Sequence, residues 1–213
     1  MTGVKGRWLH AGLTTLVVAF GLAMAGPGAA PLPPSDGPAA RGLTGQLLVA
    51  TDDLRDPRFH HVVIYMVHHD ATGAMGLVVN QPRADAPLAL LLEKLGRDGE
   101  GAARTVRVHY GGPVEPGKGF VLHTSDWASG ESRVVRDGVA LTTDPAIFEA
   151  LARGTGPRRA LFALGYAGWG PGQLEGEIDR GDWITVSADE ALIFDDDAPS
   201  KWTRAMARRK IAL

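Results

Sequence analysis

The side chains in this sequence best equipped for chemistry are its histidines. His60, His61, His68 and His69 flank one apolar stretch, and His109 and His123 follow later. Imidazole beside carboxylates can ligate a metal or act as a general base. The spacing argues against a shared ion, because on an extended strand His61 and His68 would stand about 23 Å apart at roughly 3.3 Å per residue. Adjacent pairs such as His68 and His69 point to opposite faces of a strand. No metal site and no cofactor is therefore assigned. The run His123-Thr124-Ser125-Asp126 contains every residue type of a hydrolase triad. Triad side chains must converge in space, whereas neighbours on a strand diverge. With no Gly-x-Ser-x-Gly elbow in the chain, Ser125 and Asp126 read as a turn or cap.

The strongest site candidate is the segment 165–175, where an apolar run enters Gly-Tyr-Ala-Gly-Trp-Gly-Pro-Gly and then the helix-opening Gln173-Leu174-Glu175. A strand, a glycine-rich loop and a helix start together present backbone N–H groups to anions. The segment lacks Gly-x-Gly-x-x-Gly and any Gly-Lys-Ser/Thr ending, and Glu175 and Glu177 already supply negative charge at the first turn. It reads as a tight junction whose glycines bring the Tyr166 and Trp169 rings close to backbone, with room for a small pocket or partner surface. If Gly168 or Gly170 adopts positive φ, a β-branched replacement there is costly, and Trp169 is expected to be mostly buried with one edge exposed. A second glycine turn, Tyr110-Gly111-Gly112-Pro113, reads as a bend between strands that could approach a ligand together with Asn80. At the C-terminus Arg204, Arg208, Arg209 and Lys210 form a basic cluster, offset by Asp195, Asp196 and Asp197 just upstream. Cations in a last helical turn follow from the helix dipole alone.

These side chains need a frame. Apolar β-rich segments recur at residues 45–51, 61–67, 74–80, 106–110, 119–124, 139–142, 160–166 and 183–187, each bounded by Gly, Pro, Asp or Asn. Residues 62–65 and 161–164 are apolar on both faces and read as central strands. Asp144-Pro145 starts a helix carrying Ile147, Phe148 and Leu151 inward, with Gly154 as its left-handed cap. Residues 87–95 form a second helix with Leu88, Leu91, Leu92 and Leu95 on one face. A third begins near Ser200 and turns Trp202, Ala205 and Met206 inward, and a short one opens near residues 171–175. Runs of strands with interspersed helices indicate α+β with a mixed sheet in a single domain.

Composition bounds the rest. The chain has no cysteine, which removes disulfides, thiolate metal sites and cysteine nucleophiles. Its 28 glycines in 213 residues are about twice the usual share of roughly 7%, consistent with many tight turns and close backbone approaches. Lys5 and Arg7 precede an uncharged stretch over 9–30 that ends in small-residue triplets, the layout of a secretory signal. Residues 1–30 are thus read as a signal peptide or membrane anchor, 31–42 as a Pro/Ala/Gly-rich linker, and 43–213 as the folded domain. Periplasmic or otherwise exported location is the expectation, with the cytoplasm as the alternative if the start lies downstream. Membrane contact is expected only through the N-terminal segment, if it stays uncleaved. Net charge is −2 overall, and the excess of Lys5, Arg7 and Arg41 over Asp36 leaves the folded part more acidic still. That balance disfavours nucleic acid as a partner.

Four stretches carry a resemblance. Residues 45–50 (Gly-Gln-Leu-Leu-Val-Ala) with 56–59 (Asp-Pro-Arg-Phe), residues 73–80 (Gly-Ala-Met-Gly-Leu-Val-Val-Asn), residues 111–114 with 119–123, and residues 165–175 together resemble the YqgE/AlgH family of bacterial proteins. The resemblance implies a compact mixed β-sheet, bifurcated and partly barrel-like, flanked by helices. It implies no settled enzymatic activity, a regulatory label from a proposed link to alginate gene expression, and His69 as a matching position. Thr51-Asp52, Gln81 and Lys118 depart from the family pattern. The candidate ligand or partner surface is His69, Asn80, Gly111, Gly112, His123, Tyr166, Gly168, Trp169, Gln173 and Glu175. Three functions are open: a non-enzymatic binding or regulatory module taking an unknown protein or small ligand, a hydrolase-type enzyme using His69 and His123 with a carboxylate, or, if the start lies downstream, a cytosolic transcriptional regulator. Convergence of His69, His123, Asn80 and Glu175 on one concave site would favour the enzyme.

Overall fold

A computed structural model of the chain describes residues 42–209. The signal or anchor read at 1–30, nearly all of the linker, and Lys210 lie outside the described residues. In chain order the elements are β1 (Gln46–Ala50), a 3₁₀ turn (Pro57–Phe59), β2 (Val63–Asp70), β3 (Gly73–Val78), β4 (Pro82–Pro87), α1 (Leu88–Lys94), β5 (Thr105–Tyr110) and β6 (Val114–Thr124). There follow β7 (Arg133–Arg136), β8 (Val139–Thr142), α2 (Ala146–Ala152), β9 (Ala160–Trp169), α3 (Gln173–Asp179), β10 (Trp183–Ser187), α4 (Glu190–Phe194) and α5 (Ala198–Met206).

The sheet runs β10-β1-β2-β3-β9-β6-β8-β7, with β4 and β5 branching off β9. One edge of β9 takes β6 antiparallel, from His123 opposite Ala160 to Val114 opposite Tyr166. Its other edge is shared: β5 pairs in parallel over Phe162 to Leu164, and β3 pairs antiparallel over Ala167 to Trp169. The sheet is therefore mixed and forks at Gly165-Tyr166. It also curls. A Cβ on Gly45, just before β1, would lie 2.5 Å from the Arg136 side chain on β7, so the two ends of the sheet come together as a half-barrel.

Alternation along the strands fills both faces. Leu47, Val49, Val63, Tyr65 and Val67 enter the half-barrel with Leu192, Ile193, Phe194 and Ala205 of α4 and α5. Leu48, Val62, Ile64 and Met66 face the other way, against Leu174 of α3, Trp169 and Trp183. Leu88, Leu91 and Leu92 of α1 pack with Ile147, Phe148 and Leu151 of α2 on Val108, Val121 and Phe162. Both central strands expected from the sequence are thus buried on two faces.

The start and stop signals of α2 act as read: the Asp144 carboxylate accepts from the Ala146 N–H at 2.9 Å, and Gly154 sits at φ 71°. Three elements carry weaker signals. β4 has proline at both ends and an exposed outer face, which only an edge strand tolerates. β7 is a four-residue edge and α4 a single turn capped by Asp189. A further difference lies at the candidate segment: β9 continues to Trp169, so the loop is only Gly170-Pro171-Gly172. Gly168 and Gly170 are not at positive φ; Gly165 and Gly172 are, at 71° and 72°. On α5, Ala205 is buried and Trp202 and Met206 pack against the core edge, but the fully buried long side chain is Lys201.

Gly111, Gly112 and Gly165 make the fork possible. The Gly111 N–H donates to the Leu164 carbonyl at 2.8 Å and its carbonyl accepts from the Val78 N–H at 3.0 Å, joining both branches. A Cβ on Gly111 would lie 2.2 Å from the Gly165 oxygen, and one on Gly112 only 2.0 Å from the Tyr166 carbonyl carbon. Gly165→Ala and Gly112→Ala should therefore each cost upward of about 1–3 kcal/mol, the range for a residue forced into disfavoured backbone, before any clash is added. Gly170→Ala, with open space around it, should stay within about 1 kcal/mol of wild type in urea denaturation.

Lys201 donates from Nζ to the carbonyls of Val79 at 3.0 Å and Ile193 at 2.7 Å, with Asp195 Oδ1 at 3.9 Å. Burial outweighs the nearby aspartates and pushes its ammonium down to about 8. An unfolded lysine keeps its proton to about 10.4, so between these values the unfolded chain binds more protons and this group's contribution to stability rises with pH. Urea midpoints measured from pH 7.5 to 10.5 should show that rise, bounded by about 3 kcal/mol, and Lys201→Met should flatten it.

Candidate functional site

The junction from β9 to α3 assembles the site. Gly172 enters α3 in the left-handed region, and the Gln173 Oε1 accepts from the Gly170 N–H at 3.1 Å, closing the turn. Glu175 and Glu177 are two residues apart on the helix, about 200° around its axis, so they face opposite ways. Glu177 turns to the rings: its Oε2 accepts from Trp169 Nε1 at 2.8 Å and Trp183 Nε1 at 2.9 Å, while Oε1 accepts from Gln173 Nε2 at 3.0 Å. The two indoles meet edge to face at 6.1 Å, and Phe59 meets Trp183 in the same way at 5.7 Å. One carboxylate thereby satisfies both indole N–H groups of a nearly buried aromatic cluster.

Glu175 turns to His69, whose Nε2 lies 2.8 Å from its Oε1. The other ring nitrogen, Nδ1, accepts from the Leu43 N–H at 3.1 Å, so Nε2 carries the proton and donates it. The Glu175 carboxyl is held below the usual carboxylate range by its own backbone N–H and then by His69. A general base needs one free nitrogen aimed at a nucleophile. His69 has none, and works as a latch joining the start of the domain to α3.

The remaining sequence candidates do not converge. His69 pairs with Ala74, which pairs with Trp169, whereas His123 pairs with Ala160 at the opposite end of β9, about 30 Å away at roughly 3.3 Å per residue. His123 is fully buried with Nδ1 against the Thr124 carbonyl, and burial pushes its imidazole down. Thr124 and the Arg158 N–H both bond Asp126, the turn expected there. Asn80 uses both ends of its amide on backbone, accepting from the Val63 N–H and donating to the His61 carbonyl. Gly111 and Gly112 serve the strand crossing. Tyr166 packs on the half-barrel side against Phe120, opposite Trp169, so the two rings do not line one pocket. The arrangement proposed for a hydrolase is not formed. Among the described residues no group of three or more His, Cys, Asp or Glu is placed to hold a metal ion.

Gly168, Trp169 and Gln173 do come together, in a cleft of about 960 Å³. Its floor is Trp169 and Trp183, one wall is α3 with Arg180, and the other is the segment 52–59. Arg58 clasps Asp56 with two guanidinium nitrogens, and Arg180 pairs with Asp182 at 2.7 Å. Asp53 and Arg55 are exposed on the outer wall. Sequence reasoning missed that wall, Trp183 and the part played by Glu177; the Gln173-to-Glu177 helical spacing was its only visible signal.

This forked half-barrel with helices on its flanks is an α+β fold found in solved structures. The solution structure of AlgH from Pseudomonas aeruginosa superposes with a TM-score of 0.69 at 34% identity, covering 84% of this chain and 93% of that one. A crystal structure of protein DIP2367 from Corynebacterium diphtheriae shares the fold at 19% identity and a TM-score of 0.64, covering 84% of this chain and 91% of its own. The chain belongs to the AlgH-like family, whose model matches residues 47–213. A UPF0301 protein of Cereibacter sphaeroides is 49% identical over 76% of this chain and 88% of its own length, and one of Methylococcus capsulatus is 45% identical over 80% and 93%.

Loss of the Glu177 carboxylate would orphan two indole N–H groups. Glu177→Ala should destabilise by about 2–6 kcal/mol, at roughly 1–3 per unsatisfied buried donor, and Trp169→Ala by about 3–5. Glu175→Gln at the exposed latch should cost under about 1 kcal/mol. Thermal denaturation followed by tryptophan fluorescence reads all three.

Proposed function

We propose that this protein is a non-enzymatic binding module, exported to the periplasm, that takes a polar peptide segment of a partner protein in the cleft between residues 52–59 and α3. The cleft itself carries the reading: its size lies in the range of ligand sites, about 300–1,000 Å³, and aromatic rings backed by a fixed carboxylate form its floor. Charged pairs along its walls, Asp56 with Arg58 and Asp182 with Arg180, suit alternating polar groups. Both His69 nitrogens are occupied, which supports recognition over proton transfer. A regulatory role through protein contact is in keeping with what the family resemblance implies. Direct DNA binding is disfavoured because Arg204 and Arg208 are tied to Asp195 and Asp189. Export rests on the charge and apolar pattern of residues 1–30.

The test is affinity capture from fractionated native cells, with the intact mass of the recovered protein measured alongside. A partner should be captured from the periplasmic fraction by protein that has lost residues 1–25 or 1–30. The Asp53→Lys/Arg55→Glu double variant should lose at least about tenfold in affinity with melting temperature unchanged. Equal capture by that variant would remove the cleft from the proposal, and full-length protein in the cytosol would remove export.

A further inference from the structure

A second cleft, of about 390 Å³, opens at the other end of β9, between β5, the segment 157–161, and the Phe194-Asp195-Asp196 link from α4 to α5. Four arginines line it: Arg104, Arg107, Arg158 and Arg159. Two are occupied. Arg107 bonds Asp85 and Asp196, each at 3.1 Å, and Arg158 forks onto Glu190 at 2.9 and 3.0 Å. Among the described residues, Arg104 and Arg159 have no carboxylate within ion-pair distance, and Arg104 makes only a 3.4 Å bond to the Leu151 carbonyl. Asp195, also in the lining, is paired with Lys201 and Arg204.

Beneath the arginines lies His109. It is 7% exposed, it lines the cleft, and its Nδ1 has no hydrogen-bond partner. Buried polar atoms in proteins are almost always satisfied, and unlike the equally orphaned Nε2 of His123 this ring nitrogen belongs to the lining of a cleft, where a ligand atom fits. The ammonium of Lys201 acts on the same imidazole from below, and burial together with that charge pushes His109 down to about 4. The floor is therefore a neutral ring in a positive field.

From this geometry we infer that the cleft is an oxyanion site for a small phosphate monoester, with Arg104, Arg107 and Arg159 around the phosphoryl oxygens and His109 Nδ1 accepting from a ligand hydroxyl at the floor. Planar guanidinium forks suit phosphoryl oxygens, and several around one group make a binding cradle. The volume accommodates a sugar phosphate or mononucleotide. Asp196, whose side chain is 90% exposed, places a carboxylate on Arg107 as a tethered stand-in that the ligand displaces. The negative residues around the rim restrict the site to a compact ligand and disfavour an extended phosphate backbone. The arginine cleft is independent of the peptide cleft, which lies at the opposite end of β9.

Amide and side-chain resonances of the isotopically labelled full chain, titrated with inorganic phosphate and then with ribose 5-phosphate, test it. Saturable shifts should map to Arg104, Arg107, His109 and Arg159, with ribose 5-phosphate the tighter of the two. Arg104→Gln and Arg159→Gln should each weaken binding about tenfold, the loss of one charge-assisted contact, with unchanged melting temperature. Asp196→Asn should tighten binding several-fold by removing the competitor. The proposal is overturned if shifts fail to saturate at millimolar ligand, if they map to the Trp169 cleft, or if both arginine variants bind as wild type. Tighter binding of free phosphate than of the ester would overturn the monoester assignment, and unchanged affinity in Asp196→Asn would overturn the stand-in.

Discussion

The close crossing of two backbones at Gly111-Gly112 and Gly165-Tyr166 is the contact on which the architecture hangs. A sheet can fork only where one strand leaves an edge and another takes it over, and at that point three chains need the same space. Here β5 leaves β9 after Leu164, β3 takes the edge from Ala167, and Gly111, following β5, bridges the gap with one bond to β9 and one to β3. A Cβ at any of these three glycines would meet backbone of the facing chain at 2.0 to 2.4 Å, closer than a side chain can sit. Removal of three side chains is what lets the branches share one strand.

The fork also decides where chemistry can sit. β9 is held by β6 on one edge and by β5 and then β3 on the other, and its two ends are the positions where different branches, helices and links meet. At the C-terminal end, Trp169 completes β9, the Gly170-Pro171-Gly172 turn reverses the chain, and α3 returns over the rings with Glu177 between the two indoles. At the N-terminal end, Ala160 and Leu161 border the arginine-lined cleft with β5 and the α4–α5 link. The two ends differ in character, one aromatic with paired charges and the other rich in guanidinium groups. A rigid strand links them, and neither cleft needs the other to be formed.

Much of this frame was legible in the amino-acid order. Apolar character on both faces at residues 62–65 and 161–164 marked the central strands, and Asp144-Pro145 with Gly154 marked α2, because burial and capping leave local signatures. The site was legible only in part. Gly168, Trp169 and Gln173 belong to one cleft, yet Trp183 and residues 52–59 reach it through pairings more than 100 residues apart in the chain, as when Thr51 Oγ1 donates to the Gly181 carbonyl. Local periodicity carries no trace of such contacts. The need for glycine at 165 was missed for a related reason: a Cβ there would meet the Gly112 and Val114 carbonyl oxygens of a segment distant in the chain, whereas Gly168 and Gly170, flanked by a ring and a proline, only resemble turn positions.

His69 shows how a residue type can suggest one role and its neighbours impose another. Imidazole 2.8 Å from a carboxylate is half of a catalytic triad. The second half requires that the far nitrogen be free to take a proton, and here a backbone N–H from Leu43 holds it. That same N–H comes from the segment that begins the domain: a Cβ on Gly42 would lie 2.3 Å from the His69 carbonyl oxygen, and Thr44 Oγ1 accepts the His69 N–H. The first residues of the fold, β2 and α3 are therefore bound through one ring. α3 carries Gln173 and Glu177, so the position of the aromatic cleft depends on how the chain enters the domain. The histidine that looked most like a catalyst is what fixes one wall of the cleft.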